Sequence, residues 1–432
     1  MFLYRAVRRC VGQLLRSQWA ASSRTRGNGV SEVASRYNRE TVSSATLDVA
    51  PRQSVRPTWA EISLSALREN FRAVQSHVGP RVTVCAVIKA DAYGHGATPC
   101  ALSLESAGAK WLGVTTTDEG MPLRSAGVRS RILLMTGFWR GEEDEVVRQN
   151  LTATVWEPWH VEMLSAAAQR LGAGPQPIHL KIDSGMGRLG VTLPELPSMC
   201  RVIQRASHIV LEGVSTHFAS SEVTDAPETQ LQIENFERAL RIVKDAGLSP
   251  ALCHMDNTGG ILARPDSWRD MVRPGIALYG YTLPLRSMKA SPDNRPTIRV
   301  RPALSWRTRI ISIRQFAAGQ PVGYGGTYKT TTPSRIAVLP VGYADGYRRA
   351  LSNRGRVIIR NGYAPIVGAV SMDLTLVDVS KISGAAEGDD AMLIGSRGSL
   401  KVDAAELAEL SGTVPYEILC GISKRVPRVH LP

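Results

Sequence analysis

From Arg56 onward the chain moves between two hydrophobic rhythms. Trp59–Leu64 alternates apolar and polar positions as a strand does. Leu64, Leu67, Phe71, Val74 and Val78 then recur at spacings of 3 and 4, which predicts an amphipathic helix. Short apolar runs follow at Thr83–Ile88, Trp111–Thr115, Arg131–Gly137, Leu151–Trp156, Ile178–Asp183, Ile209–Phe218, Ala251–Asn257 and Met271–Gly280, and each reads as a strand. The segments between them read mostly as helices. The clearest is Glu228–Ala246, with Leu231, Phe236, Leu240 and Val243 on or near one face. Eight strands, all but the last followed by a helical or turn-helical stretch, in about 230 residues fit a closed parallel (β/α)8 barrel better than an open doubly wound sheet.

From about Pro292 the texture changes. Val300–Gln315, Ser334–Pro340, Arg356–Ile359, Ile366–Val370 and Leu374–Val379 are β-rich and separated by turn signals, and helix is scarce apart from Val402–Leu410. The expected fold is therefore α/β: a TIM-like barrel over residues 57–295, then a mostly-β domain over residues 296–432.

Residues 1–56 differ from both. They hold ten Arg, no Lys and only Glu32, Glu40 and Asp48 as acids, so they carry half of the net charge of +14. The segment resembles an organelle transit peptide, but an unstructured arm or an over-extended start is the favoured reading, and the segment is left out of the fold. The other half of the charge is spread thinly, with no basic stripe and no nucleic-acid motif, so nucleic-acid binding is not expected. Anionic small-molecule ligands account for part of the excess. No window of 18 consecutive apolar residues is present, so no membrane span is expected. The six cysteines show no C-x-x-C and no regular spacing, which suits free thiols in a reducing compartment.

Barrel sites lie at the C-terminal ends of the strands, and the unusual polar residues fall there. Lys89 ends the first run. Lys181 and Asp183 end the fifth, followed by Ser-Gly-Met-Gly-Arg188. His217 ends the sixth, His254 and Asn257 the seventh, and Arg273 lies in the eighth before Pro274-Gly275-Ile276. Singly, each has a bland reading: a solvated strand end for Lys89, a satisfied core histidine for His217, a surface loop for Arg188, an ordinary cap and turn for Asn257-Thr258-Gly259-Gly260. Together at one barrel end they are harder to dismiss, because burying them without partners is costly. Thr258-Gly259-Gly260 and Gly275-Ile276 offer backbone N–H groups after strands seven and eight, the usual phosphate corner of a barrel. A buried Lys, a phosphate corner and an Arg suit pyridoxal 5'-phosphate, whose aldehyde needs a lysine amine.

Seven segments in order, AVIKADAYGHG, KIDSGMGRLG, STHFA, MVRPGIALYG, VGYADGYRR, GAVSMD and YEILCGISKRVPR, resemble those of the alanine racemase family. The resemblance runs from about Arg56 to Pro432. It implies a pyridoxal-phosphate isomerase that interconverts L- and D-alanine, uses no metal, works in the cytoplasm and supplies D-alanine for peptidoglycan. It implies that Lys89 carries the cofactor and is one of two acid–base groups. Tyr343 is the other, contributed by the partner subunit of a head-to-tail homodimer with shared sites. Tyr93 and Tyr416 would hydrogen-bond the phosphate, with Asn257, Thr258, Gly275 and Ile276 around it. Arg273 would face the pyridine nitrogen, and His217 would lie against the ring. Arg188 and the backbone of Met372 would bind the substrate carboxylate, and Lys181 matches a lysine often found carbamylated. The sequence departs from the family pattern in Thr258, where Ser is more usual, and in Ser371, where many members have Cys. Rival readings are a racemase for larger amino acids, a barrel decarboxylase and a non-catalytic cofactor binder. Lys181 argues against the first, Arg273 and the Tyr343 segment against the second, and the β domain against the third.

Overall fold

The computed structural model describes residues 56–288 and 297–432. The expectations placed on residues 1–55, and the boundary drawn at 295/296, lie outside the described residues. Arg56, counted with the arm above, is inside the fold: its guanidinium donates to Asp345 and to the carbonyl of Pro340.

The chain enters through β1 (Thr58–Ser63). The hydroxyl of Ser63 accepts the Ala66 N–H and caps the helix Leu64–Val78, whose Leu67, Phe71, Val74 and Val78 are buried as their spacing predicts. The barrel strands follow: β2 (Thr83–Val87), β3 (Trp111–Val114), β4 (Arg131–Leu134), β5 (Leu151–Val155), β6 (Gln176–Lys181), β7 (Ile209–Ser215), β8 (Leu252–His254) and β9 (Met271–Val272). They form one parallel sheet in the order β8-β7-β6-β5-β4-β3-β2-β9. Its ends meet where Asp270 N–H donates to Cys253 O (3.1 Å) and Arg273 N–H to Asp256 O (2.8 Å), so the barrel nearly closes. β3 and β5 are buried at every position, as parallel strands covered on both faces must be. In the helix Pro227–Asp245 the buried stripe runs through Thr229, Gln232, Phe236, Ala239 and Val243. Leu231, expected near that face, is 56% exposed, because polar Gln232 occupies the inward position beside it.

The second half is mostly β, as expected. Its strands are β10 (Leu304–Arg309), β11 (Ser312–Phe316), β12 (Pro321–Val322), β13 (Tyr328–Lys329), β14 (Ser334–Leu339), β15 (Arg356–Ile359), β16 (Gly362–Pro365), β17 (Thr375–Asp378), β18 (Asp390–Arg397), β19 (Leu400–Val402) and β20 (Arg428–Leu431). The largest sheet runs β16-β15-β18-β10-β1-β20, so the first strand of the chain is wedged between an antiparallel and a parallel partner from the second half. Ile366–Val370, expected as a strand, makes only an isolated bridge at Ile366. Gly368 has φ +76°, and a Cβ there would lie 2.6 Å from Val322 O, so the chain turns instead of extending. The expected helix is Ala404–Ser411, capped by the Asp403 carboxylate. A second short one, Pro415–Cys420, was not anticipated. Among the described residues no helix is long and apolar enough to cross a membrane, and the cysteines are free.

Gly213 of β7 pairs in register with His179 of β6, and a Cβ on it would come within 2.8 Å of the buried imidazole. Gly213→Ala is expected to lower stability by about 1–3 kcal/mol in denaturant unfolding, since the ring is pinned and cannot retreat.

Candidate active site

Lys89 follows β2 directly. The next four residues, Ala90, Asp91, Ala92 and Tyr93, all have φ between 51° and 55°, a left-handed turn. Each such L-residue costs about 1–2 kcal/mol, so the turn persists only because its surroundings hold it. Glu119 accepts the Ala90 N–H (2.7 Å), and the Asp91 carboxylate accepts the Ala97 N–H (2.7 Å). Gly94 closes the turn against the C-terminal helix, where a Cβ would lie 2.5 Å from Leu419 O. Arg428 donates to Gly94 O and to the carbonyls of Ile422, Ser423 and Val426, tying the turn to the C-terminal segment. The result is that Tyr93 points inward, its ring 4.7 Å from that of Tyr279 and 5.9 Å from that of Tyr416.

Arg273 is buried at the opposite wall. Its guanidinium donates to Thr216 O, Met255 O and His254 Nδ1, and lies 3.3 Å from His217 Nδ1. A guanidinium only donates, so His254 Nδ1 must accept. Neutral His254 then carries its proton on Nε2 and donates it to His179 Nδ1 (2.8 Å). His179 in turn faces Glu212 through Nε2 (3.5 Å). Glu212 pairs with Arg131, which stacks 4.1 Å over the Trp111 ring. A chain of defined tautomers thus runs along the barrel interior and fixes Arg273 in place.

Asn257 caps the short helix beginning at Thr258 by accepting the Gly260 N–H (3.0 Å). The Thr258 hydroxyl accepts the N–H groups of Gly275 (3.1 Å) and Ala277 (3.4 Å). Gly275 has no room for a side chain: a Cβ would lie 2.4 Å from the Tyr93 hydroxyl. Lys89, Tyr93, His217, Asn257, Thr258, Arg273, Gly275 and Tyr416 line one cavity of about 420 Å³, together with Val87, Ala90, Met135 and Cys420. Ile276 is buried beside Gly275. Asp183 accepts the N–H groups of Gly185, Met186 and Gly187 and shapes the loop that presents Arg188.

Tyr343 and Met372 are elsewhere. They sit on adjacent turns of the second half, joined where Tyr343 N–H donates to Ser371 O (3.0 Å) and Ala344 N–H to Met372 O (3.0 Å). Both are exposed, at 44% and 53%, and neither lines this cavity. The sequence reading missed Cys420, although it stands four residues after Tyr416 and so shares its helix face. It also missed His179 and Glu212, which lie inside strands where a lone polar residue gives no signal.

The fold that carries this cavity recurs in known proteins. Residues 62–283 match the family model of the alanine racemase N-terminal domain, and residues 303–430 that of the C-terminal domain. The chain belongs to the alanine racemase family. The alanine racemase of Symbiobacterium thermophilum is 41% identical over 376 residues, 87% of this chain and 97% of that one. The solved alanine racemase of Clostridium difficile 630 superposes with a TM-score of 0.80 at 33% identity, covering 88% of this chain and 97% of the other. That of Bartonella henselae, described with covalently bound pyridoxal phosphate, gives 0.75 at 29% identity over 87% and 99%.

Electrostatics in the racemase-family cavity follow from crowded cations. Burial, then the charges of Arg188 and Arg273, hold the Lys89 amine below its ordinary value, with Glu119 opposing. Burial, Arg273 and Arg188 press Lys181 down further. His217 is pushed down to about 2 by burial and by the same cations. His254 is lowered by burial and Arg273, and His179 chiefly by burial, while burial, with smaller help from nearby cationic groups, takes His95 and His160 to about 4. A histidine whose folded value is depressed stabilises the fold fully above about 6.5, and that contribution is lost as the pH falls toward its folded value. Asp256, raised by burial to about 7, has the opposite sign, its contribution being lost as the pH rises. With several histidines against one aspartate, the thermal midpoint is expected to fall between pH 6.5 and 4. His95→Asn is expected to flatten that slope, as measured by unfolding scans across the pH range.

Proposed function

We propose that this chain interconverts L- and D-alanine with pyridoxal 5'-phosphate held on Lys89. The observation that carries the reading is the cavity in which a half-buried lysine of lowered basicity faces an arginine fixed by histidines. The residues fit the cofactor. The hydroxyls of Tyr93 and Thr258 and the backbone at Gly275 converge on a corner that a single added Cβ would fill, as a phosphate cradle requires. Arg273 keeps its proton, so it can only donate toward a pyridine nitrogen. Burial raises Tyr93 and takes Tyr416 up to about 12, so both phenols stay protonated as donors to a phosphate dianion.

The bound cofactor supplies a conjugated system that delocalises the charge left when the α proton departs. The protein's residues do the rest. The Lys89 amine, held below its ordinary value, can take or return a proton on one face. Tyr343 serves the other face. Two groups on opposite faces avoid any movement of a single base between them. Arg188 and the Met372 backbone orient the substrate carboxylate. Exposure of Tyr343, Met372 and Leu374 on one pair of turns supports a homodimer in which these residues complete the partner's cavity. In this reading residues 57–295 supply most of the cofactor's contacts, and residues 296–432 add Tyr416 and the second proton-transfer group. A carbamylated Lys181 would remove one cation and give Arg188 an anionic neighbour. The family resemblance supports a cytoplasmic enzyme whose product enters peptidoglycan.

Incubation of the purified protein with L-alanine followed by chiral chromatography tests the assignment: an equal mixture of enantiomers is expected, and unchanged L-alanine contradicts it. Lys89→Ala is expected to abolish turnover and the visible absorbance of the cofactor together. Tyr343→Phe should lower kcat by about 10²–10⁴-fold, the usual contribution of a positioned acid–base group. Arg273→Glu is expected to slow racemisation and increase pyruvate formation, because a carboxylate lets the ring nitrogen hold a proton.

A further inference from the structure

Tyr343 projects from a short turn, Tyr343–Asp345, whose grip on the rest of the molecule is specific. Asp345 is completely buried. One of its carboxylate oxygens accepts the Gly342 N–H (2.9 Å), closing the turn on itself, and its carbonyl accepts the Ser423 N–H (2.9 Å). Gly342 packs so tightly that a Cβ would lie 2.3 Å from Ser371 O. Against this turn comes Arg56. It forks onto both carboxylate oxygens of Asp345, at 2.5 and 2.7 Å, and the same Nη2 donates to Pro340 O (2.9 Å). Arg425 reaches the same carboxylate only at 3.6 Å, from an exposed position where it also pairs with Asp373. Arg56 stands two residues before β1, the strand held between β10 and β20, and its carbonyl accepts the Thr58 N–H (2.8 Å), so it is tethered close to the sheet.

We propose that Arg56 is a positioning residue for Tyr343: its fork on Asp345 and Pro340 sets where the phenol stands relative to the substrate. The proposal rests on the reading of Tyr343 as the second proton-transfer group. An arginine matches a carboxylate with two parallel N–H bonds, which fixes orientation as well as distance, and a lysine cannot do this. Without the fork, the buried Asp345 carboxyl loses two donors and must seek Arg425 or water, and either choice drags the turn. It follows that any removal of the N-terminal arm must stop before residue 56 to leave a competent enzyme.

The test uses the full chain with its cofactor and compares Arg56→Ala, Arg56→Lys and Asp345→Asn with Tyr343→Phe. A displacement near 1 Å at a reacting group costs on the order of 100-fold, so Arg56→Ala should lower kcat by about that factor while leaving the cofactor spectrum intact. Arg56→Lys should restore only part of it. Enantiomers have equal free energy, so kcat/KM must fall equally in both directions and cannot reveal which group moved. Isotope effects can. With α-deuterated alanine, the effect should rise for the enantiomer whose proton Tyr343 takes and should not rise for the other. A loss of rate with isotope effects unchanged, or raised for both enantiomers, would mean that Arg56 supports the fold only and would overturn the proposal. Unchanged rates would overturn it as well. If Arg56→Ala does not fold, Arg56→Lys and Asp345→Asn carry the same isotope comparison. Should Tyr343→Phe itself keep full activity, the reading of Tyr343 fails instead, and the two failures are distinguishable.

Discussion

Lys89, Lys181, Arg188 and Arg273 bring their charges to one barrel mouth, and burial of Arg273 and of much of the two lysines leaves that charge little water to spread into. Most of the chemistry follows from that crowding. Each cation makes its neighbours less willing to hold a proton, so the lysines lose basicity and the histidines are neutral. Neutral histidines can accept from Arg273 on one side and donate onward on the other, which aligns His254, His179 and Glu212 behind it. The same positive field suits a ligand that carries a phosphate and a substrate that carries a carboxylate. Arg273 is the fixed member of the set, since it cannot give up its proton.

The cost of placing Lys89 at this mouth is borne by the other half of the chain. Four residues after it are left-handed without a glycine among them. Leu419 and Arg428, both from the C-terminal end, hold that turn through Gly94. The dependence is mutual, because β1 from the start of the chain completes the largest sheet of the second half. Barrel and β half are thus joined beside the turns that carry Lys89 and Tyr343, the two groups proposed to move the proton, and neither set of turns is held by local sequence alone.

This interlocking marks what the sequence could and could not convey. The eight barrel strands were readable because each is a short apolar run with its own helix or turn to follow, and the residues at their ends could be placed on one face by topology. The residues of the cavity wall came partly from strand ends and partly from family resemblance, which supplied Tyr93 and Tyr416. What was illegible is what depends on distant pairing. Nothing in Thr58–Ser63 says that its partners are 304–309 and 428–431. β18, β19 and β20 close the second half late in the chain and were not anticipated. Ile366–Val370 has the composition of a strand, but Gly368 turns it away because Val322 O occupies the space. Arg56 looked like the last residue of a basic arm, since its partner Asp345 is 289 residues away.

The most direct test of this account is to reduce the purified protein with borohydride and map its peptides by mass. The account predicts one phosphopyridoxyl adduct per chain, on the peptide that contains Lys89. A protein that binds the cofactor but carries the adduct on Lys181 or another lysine, with Lys89 unmodified, would contradict it.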